Sequence, residues 1–213
     1  MSCVEKPQLR MVWPQRLINQ PPEVETPVGY EIRHYRSDDE QCFYEVMRLA
    51  GWPGWDAQRL DYSLSRIIPN GWFMAVEEQA KTVVGTAMCL HNCTGSLLFW
   101  GDLAWLACDP AHTGRGLGLA LSAAVTSRFI EAGYRKIGLH TEYYRLPAIK
   151  IYLKLGFLPM LKSGDAIDLW RGVCQKLDWP LTPKAWATGL APNNVLQTTS
   201  ESTLNGSSEA SEG

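Results

Sequence analysis

The amino-acid sequence predicts a mixed α/β (α+β) fold in which a central, twisted, mixed sheet is flanked by helices. Apolar segments of strand length, WFMAVEE and KTVVGTAMCLH, stand as a pair joined by a short polar turn near Gln79. Further on the spacing turns helical. Leu117, Leu121, Ala124, Val125, Arg128 and Phe129 lie on or beside one stripe, and Ala148, Ile151, Tyr152 and Leu155 share another. Strand patterns stand before and after these two helices, the order expected of a mixed fold.

Each element has its own signal. Residues 1–28 carry Pro7, Pro14, Pro21, Pro22 and Pro27, so an irregular N-terminal arm is expected there. The domain proper is expected over residues 29–172 and opens with a strand, Tyr30 to Tyr35. Ser37 followed by Glu40 is a capping-box pattern, and Phe43, Val46, Met47 and Ala50 then recur at helical spacing. GWPGW breaks that helix. A second helical segment places Leu60, Leu64, Ile67 and Ile68 on one side and is expected to stop at Pro69-Asn70-Gly71. After the paired strands, a loop around Asn92 to Gly95 leads into SLLFWGDLAWLACD, whose second half reads as a buried strand. Gly133 suits the end of the helix that follows, and KIGLHT reads as a strand. Pro147 suits the first turn of the next helix, which Gly156 ends; FLPML and AIDLW are expected to be the last strands. Residues 173–191 are expected to form a short appendage packed through Leu177, Trp179 and Trp186. Residues 192–213 are too poor in apolar surface to offset their ordering entropy and are expected to be disordered.

Composition narrows the function. The 213 residues are 46% hydrophobic and 20% charged, with a formal net charge of -2. No Lys or Arg follows Lys184, and the acidic Glu201, Glu209 and Glu212 leave the rest of the chain near +1. That balance offers no broad basic field for nucleic acid but permits a small anion site. No apolar stretch reaches bilayer length, and MSCVEKPQLR lacks the apolar core of a signal peptide, so no membrane partner is expected. The cysteines at 3, 42, 89, 93, 108 and 174 lack paired metal-ligand spacing, and His34, His91, His112 and His140 show no metal spacing either. The expectation is ordinary thiols, a cytoplasmic setting and no metal.

The most informative run is Thr113-Gly114-Arg115-Gly116-Leu117-Gly118, where a strand gives way to a helix. Residues without a Cβ let backbone approach a bound group closely, and the first helical N–H groups lack partners within the helix. A diphosphate suits that end of the helix dipole, with Arg115 able to add charge. A P-loop would need Gly-Lys-Ser/Thr, whereas this run continues Gly-Leu-Ala. A dinucleotide fold would put its glycines after an early strand, whereas these lie past the midpoint of the chain. A tight turn with close helix packing accounts for the same glycines without any ligand.

With Thr113 in place of the usual Gln or Arg, this run resembles the signature of the GCN5-related N-acetyltransferase superfamily, Gln/Arg-x-x-Gly-x-Gly/Ala. Downstream, Ala148, Tyr152, Gly156 and Phe157 are similar to that family's Asn-x-x-Ala-x-x-x-Tyr-x-x-x-Gly-Phe, with Arg145 at the Asn position. The resemblance implies an acyl-CoA N-acyltransferase fold in which residues 113–118 grip the diphosphate of acetyl-CoA. Leu106, Ala107 and Cys108 would pair with the pantetheine arm. Arg145, Ala148 and Tyr152 would complete the cofactor site, with Tyr152 protonating the leaving thiolate or orienting the thioester. Cys108 is expected to pack rather than to act as a nucleophile. Asp102, eleven residues before Thr113, is a candidate base for the incoming ammonium; the competing expectation is an aspartate at a strand edge. The reaction implied is direct acetyl transfer to a primary amine on a small molecule, peptide or protein. A longer acyl donor and a non-catalytic CoA sensor stay open, as does the oligomeric state, a homodimer included. Trp52, Trp55, Tyr143 and Tyr144 are candidates for an aromatic acceptor wall or for plain packing, and Glu142 or Asp165 for attracting a cationic acceptor.

Overall fold

The computed structural model describes residues 8–92, 99–161 and 164–188. The expected disordered segment, 192–213, and most of the loop after Asn92 lie outside the described residues. The strands are β1 (Gln8–Val12), β2 (Tyr30–His34), β3 (Ile67–Glu77), β4 (Thr82–His91), β5 (Trp100–Cys108), β6 (Lys136–Glu142), β7 (Leu158–Leu161) and β8 (Ala187–Thr188). The helices are α1 (Glu40–Leu49), α2 (Ala57–Leu64), α3 (Leu117–Glu131), α4 (Leu146–Leu155) and α5 (Gly164–Leu177). The strands form one mixed sheet in the order β2-β3-β4-β5-β6-β1-β7-β8. Pairing is antiparallel except for β5 with β6 and β7 with β8.

Side chains alternate across the strands and build a core on each face. One face carries Phe73, Ala75, Val84, Leu103, Ile137 and Leu139 against Leu121, Val125 and Phe129 of α3 and Ile149 and Tyr152 of α4. The other carries Trp72, Met74, Val83, Met88 and Leu90 against Phe43, Val46 and Met47 of α1 and Leu60 of α2. Among the described residues, no helix is long and apolar enough to cross a membrane.

Several expectations are corrected. Within the expected arm, Gln8–Val12 is a strand in the interior of the sheet, pairing with β6 through Met11↔Leu139 and with β7 through Met11↔Pro159. Leu9 and Met11 enter the α3-side core while Arg10 takes the other face, a strand alternation too short to stand out between Pro7 and Pro14. The capping partner at the start of α1 is Asp39 rather than Glu40. Asp39 accepts the Arg36 backbone N–H at 2.8 Å and a bidentate grip from Arg33 at 2.6 and 2.7 Å. Ile67 and Ile68 belong to β3, not to the second helix. Pro69-Asn70-Gly71 is an irregularity inside that strand, where the register shifts between Ile67 and Trp72 and Asn70 adopts φ 57°. AIDLW lies in α5 rather than in a strand, because Trp170, Val173 and Cys174 recur at helical spacing and are buried. Trp170 meets Trp186 at 5.7 Å, which ties the C-terminal segment to the core.

Candidate active site

The parallel ladder between β5 and β6 is short. It runs Trp100↔Lys136, Gly101↔Ile137, Asp102↔Gly138 and goes no further. From Leu103 onward β5 keeps its partner on the β4 side, with Ala107 opposite Thr86 and Cys108 opposite Gly85. Its other edge therefore opens away from β6 over the segment that contains Leu106, Ala107 and Cys108. A register shift against β4 between Thr86 and Met88 falls in the same stretch, and Trp105 sits there at φ 54°. A bulge of this kind re-aims backbone and side chains at the point where pairing ends.

Beyond β5 the chain turns through residues 110–112 and reaches the glycine run. Thr113, Gly114, Arg115 and Gly116 are exposed. Gly114 adopts φ 77°, with nothing near the position a Cβ would take; Gly116 is the N-cap of α3 at φ 90°. Both are left-handed conformations that glycine adopts without steric cost. No side chain caps α3, and among the described residues no acceptor engages the N–H groups of residues 114–118. Thr113 turns its hydroxyl back to the Pro110 carbonyl at 2.8 Å. Leu117 is buried in the core, so only its main chain faces the turn. Gly118 answers to packing as well: a Cβ there would stand 2.8 Å from Ile151 Cδ1 on α4. Arg115 lies 6.0 Å from the Tyr30 ring, and Tyr30 in turn hydrogen-bonds His112 Nδ1 at 2.9 Å. A Cβ at Gly116 would stand 3.4 Å from Pro27 Cγ, so the segment after β1 abuts the turn.

Tyr152 is buried, and half-buried Ala148 packs one turn before it on α4. Burial pushes the Tyr152 hydroxyl above its ordinary range; the charge of Arg145 opposes that, while Cys108 and Glu142 add to it. The Cys108 thiol is pushed up to about 12, chiefly by burial, so it stays protonated near neutrality and makes a poor nucleophile. Arg145 does not turn only toward the cofactor side. Its Nε donates to Glu142 at 2.7 Å and its guanidinium lies 4.0 Å from the Trp52 ring centroid.

Asp102 is 3% exposed and paired on both sides, with Leu90 on β4 and Gly138 on β6, so it is neither at a strand edge nor facing solvent. It lies at the last rung before the strands part. Alternation from Leu103 puts its side chain on the face of α1 and α2, with His140 Nδ1 3.7 Å from one carboxylate oxygen. Of the candidate acceptor residues, Trp52 and Trp55 pack on that face, whereas Tyr143 packs against the α3-side core. Trp105 meets Trp52 at 5.4 Å and Trp55 at 4.8 Å, both edge-on. Tyr144 packs against Tyr143 and lies 5.9 Å from Arg145. Glu142 is engaged by Arg145 and does not stand ready for a cationic acceptor, while the side chain of Asp165 lies outside the described ones. Sequence reasoning missed Trp105, Arg59 and His140 as members of this cluster; periodicity marks each as an ordinary strand or helix position. Among the described residues, no group of three or more His, Cys, Asp or Glu is placed to hold a metal ion.

A sheet parted between two parallel strands, with a glycine turn opening the helix beyond the gap, defines the N-acyltransferase class of fold. The sequence model of the Acetyltransferase (GNAT) family matches residues 30–157, and the chain belongs to that family. It is similar to the mycothiol acetyltransferase of Segniliparus rotundus, 28% identical over 144 residues that cover 64% of this chain and 54% of that protein. The enzyme of the same name from Rhodococcus erythropolis is 28% identical over 148 residues, covering 64% and 49%. Among solved structures, a GCN5-related N-acetyltransferase from Sphaerobacter thermophilus superposes with a TM-score of 0.59 at 26% identity, covering 71% of this chain and 48% of that one. A GNAT-family acetyltransferase from Colwellia psychrerythraea, 13% identical with a TM-score of 0.57 over 73% of this chain and 53% of that one, shares the fold. The chain thus spans about half the length of the curated relatives it matches.

Proposed function

We propose that this chain transfers an acetyl group from acetyl-CoA directly to a primary amine. One observation carries the reading: the open edge of β5 beyond Asp102 leads to an exposed turn at residues 113–116, and the N–H groups of residues 114–118 have no acceptor among the described residues. Those amides and the positive end of α3 suit the diphosphate. The free edge of Leu106 to Cys108 suits the amides of the pantetheine arm. Arg145, Ala148 and Tyr152 would close the site from α4.

In this mechanism Asp102 takes a proton from the incoming ammonium, directly or through water. The amine nitrogen then bonds to the thioester carbonyl carbon, the carbon–sulfur bond breaks with its electron pair on sulfur, and the second nitrogen proton passes to the departing thiolate, leaving the amide and free CoA thiol. Main-chain N–H groups at the parting of the strands stabilise the developing oxygen charge. The burial-raised affinity of Tyr152 for its proton argues for a hydrogen bond that orients the sulfur rather than complete proton transfer. An ordinary thiol, at about 8.5, is the stronger acid. Holding amine and thioester in contact supplies much of the rate.

The test is acetyl-CoA consumption with pooled amines and peptides against a control without acceptor. Amine-dependent release of free CoA is expected. Consumption only with longer acyl-CoA donors would move the donor assignment. Binding of CoA with no amine-dependent turnover would make the chain a sensor.

A further inference from the structure

The acceptor face holds a cation that the transfer chemistry does not use. Arg59 projects from α2 toward two indoles, its guanidinium carbon 5.0 Å from the Trp55 centroid and 4.8 Å from that of Trp105. Among the described residues no carboxylate pairs with that guanidinium. Asp56, three residues earlier, accepts the Arg59 backbone N–H at 2.8 Å as the N-cap of α2. The other arginine of the cluster, Arg145, is neutralised by Glu142.

Two further observations mark this spot as built for a ligand. The Trp55 indole Nε1 is buried and finds no hydrogen-bond partner among the described residues. Leaving a buried donor in that state is unfavourable unless something accepts from it. Trp105 holds the left-handed φ of 54° at the bulge of β5, a conformation that a bulky residue keeps only where surrounding structure imposes it. The bulge carries the Trp105 ring to the α1 and α2 face at the place where β5 leaves β6. Tyr152 approaches the gap from the α4 face, so an amine must come from the side where Asp102, Trp105 and Arg59 sit.

Resting on the transfer reading above, we infer that the acceptor is an amine that also bears a carboxylate, and that Arg59 binds this group. The guanidinium lies against both the Trp105 and Trp55 rings, and its planar fork suits the two parallel hydrogen bonds a carboxylate accepts. Trp52, edge-on to Trp105, extends the aromatic lining beside this group. Arg59 is a specificity residue, distant from the bond that forms.

The experiment compares α-amino acids and free-terminus dipeptides with their carboxamides as acceptors, in the wild type and in Arg59→Gln and Arg59→Lys. Comparing acid-to-amide ratios between variants cancels the different basicity of the amines. The wild type should favour the acid at least tenfold in kcat/KM relative to the ratio in Arg59→Gln. The loss should appear in acceptor KM, with the KM for acetyl-CoA unchanged, and Arg59→Lys should recover part of the preference. Equal ratios in the wild type and Arg59→Gln would overturn the inference while leaving amine transfer intact. A second readout is tryptophan fluorescence titrated with N-acetylated amino acids and their amides. Arg59-dependent quenching by the acids alone, with no amine turned over, would sink the transfer reading and keep the anion site. No quenching difference between acid and amide would overturn the site itself. Should Arg59→Gln fail to fold, a wild-type titration that cannot tell acid from amide is sufficient to overturn it.

Discussion

On the face of the sheet covered by α3 and α4, the candidate donor site lies mostly in the backbone, with Tyr152 beside it; on the face covered by α1 and α2 the candidate acceptor site lies in side chains. The first face offers the open edge of β5 and the amides of residues 114–118, set by where pairing stops and where glycine permits a left-handed turn. The second gathers Asp102 and Trp105 from β5, His140 from β6, Arg59 from α2 and Trp52 and Trp55 from the link between α1 and α2. A backbone site tolerates many sequences as long as its turn survives, so it suits a donor shared by many reactions. A side-chain site changes with each substitution, so it suits the acceptor, which differs from one reaction to the next.

That division can be broken by substitution. Asp102→Asn should have the largest effect, lowering kcat by about 10²- to 10⁴-fold if the carboxylate is the base. The KM for acetyl-CoA should hold, and a steady-state titration of both substrates separates the two parameters. A raised acetyl-CoA KM with unchanged kcat would move Asp102 out of the acceptor side. Gly116→Val comes next. A β-branched residue at φ 90° is strained by about 1–3 kcal/mol and would shroud the amides, so acetyl-CoA KM should rise about 10- to 100-fold. Gly118→Ala, whose Cβ meets only the flexible end of Ile151, should change it far less. If the two glycines respond alike, the turn is packing and nothing more.

Tyr152→Phe sharpens the role of the phenol. Loss of an orienting hydrogen bond predicts a kcat decrease of about tenfold, the equivalent of roughly 1.4 kcal/mol. A decrease beyond a thousandfold would restore obligatory proton donation. The smallest effect on turnover concerns the scaffold of the acceptor face, where the change is read in stability. Burial alone would raise the Asp39 carboxyl, but hydrogen bonds from Arg33 and the Arg36 N–H, with the charges of both arginines, hold it below the usual carboxylate range. A depressed folded-state value gives stability that is full above the unfolded value, about 3.9, and is lost as pH falls through the folded one. Asp39→Asn should cost roughly 1.5–3 kcal/mol near neutral pH, and the difference from wild type should shrink in strong acid, as urea melts across pH would record.

The same division explains what the sequence made legible. The glycine run, the α3 stripe and the spacing of Ala148 to Tyr152 are local patterns, and the elements that carry them stand where periodicity puts them. Asp102 was visible as a charge in an apolar strand, but its burial beside His140 depends on pairing with a strand 36 residues later, at Gly138. The pairing of β1 was hidden for the same reason: Gln8–Val12 is short, and its partners are β6 and β7, far along the chain. The Arg59 site joins two elements through a bulge that no spacing announces. AIDLW misled because apolar alternation over so few residues suits a strand and a helix equally, until Trp170, Val173 and Cys174 extend the helical pattern.

The amides at the start of α3 carry the account, and heteronuclear NMR can address them directly. With ¹⁵N-labelled protein, the backbone resonances of Gly114, Gly116 and Gly118 should shift strongly on titration with CoA and stay nearly still with pantetheine, which lacks the diphosphate. Equal shifts with both ligands, or silence at these glycines while another segment responds to CoA, would contradict it.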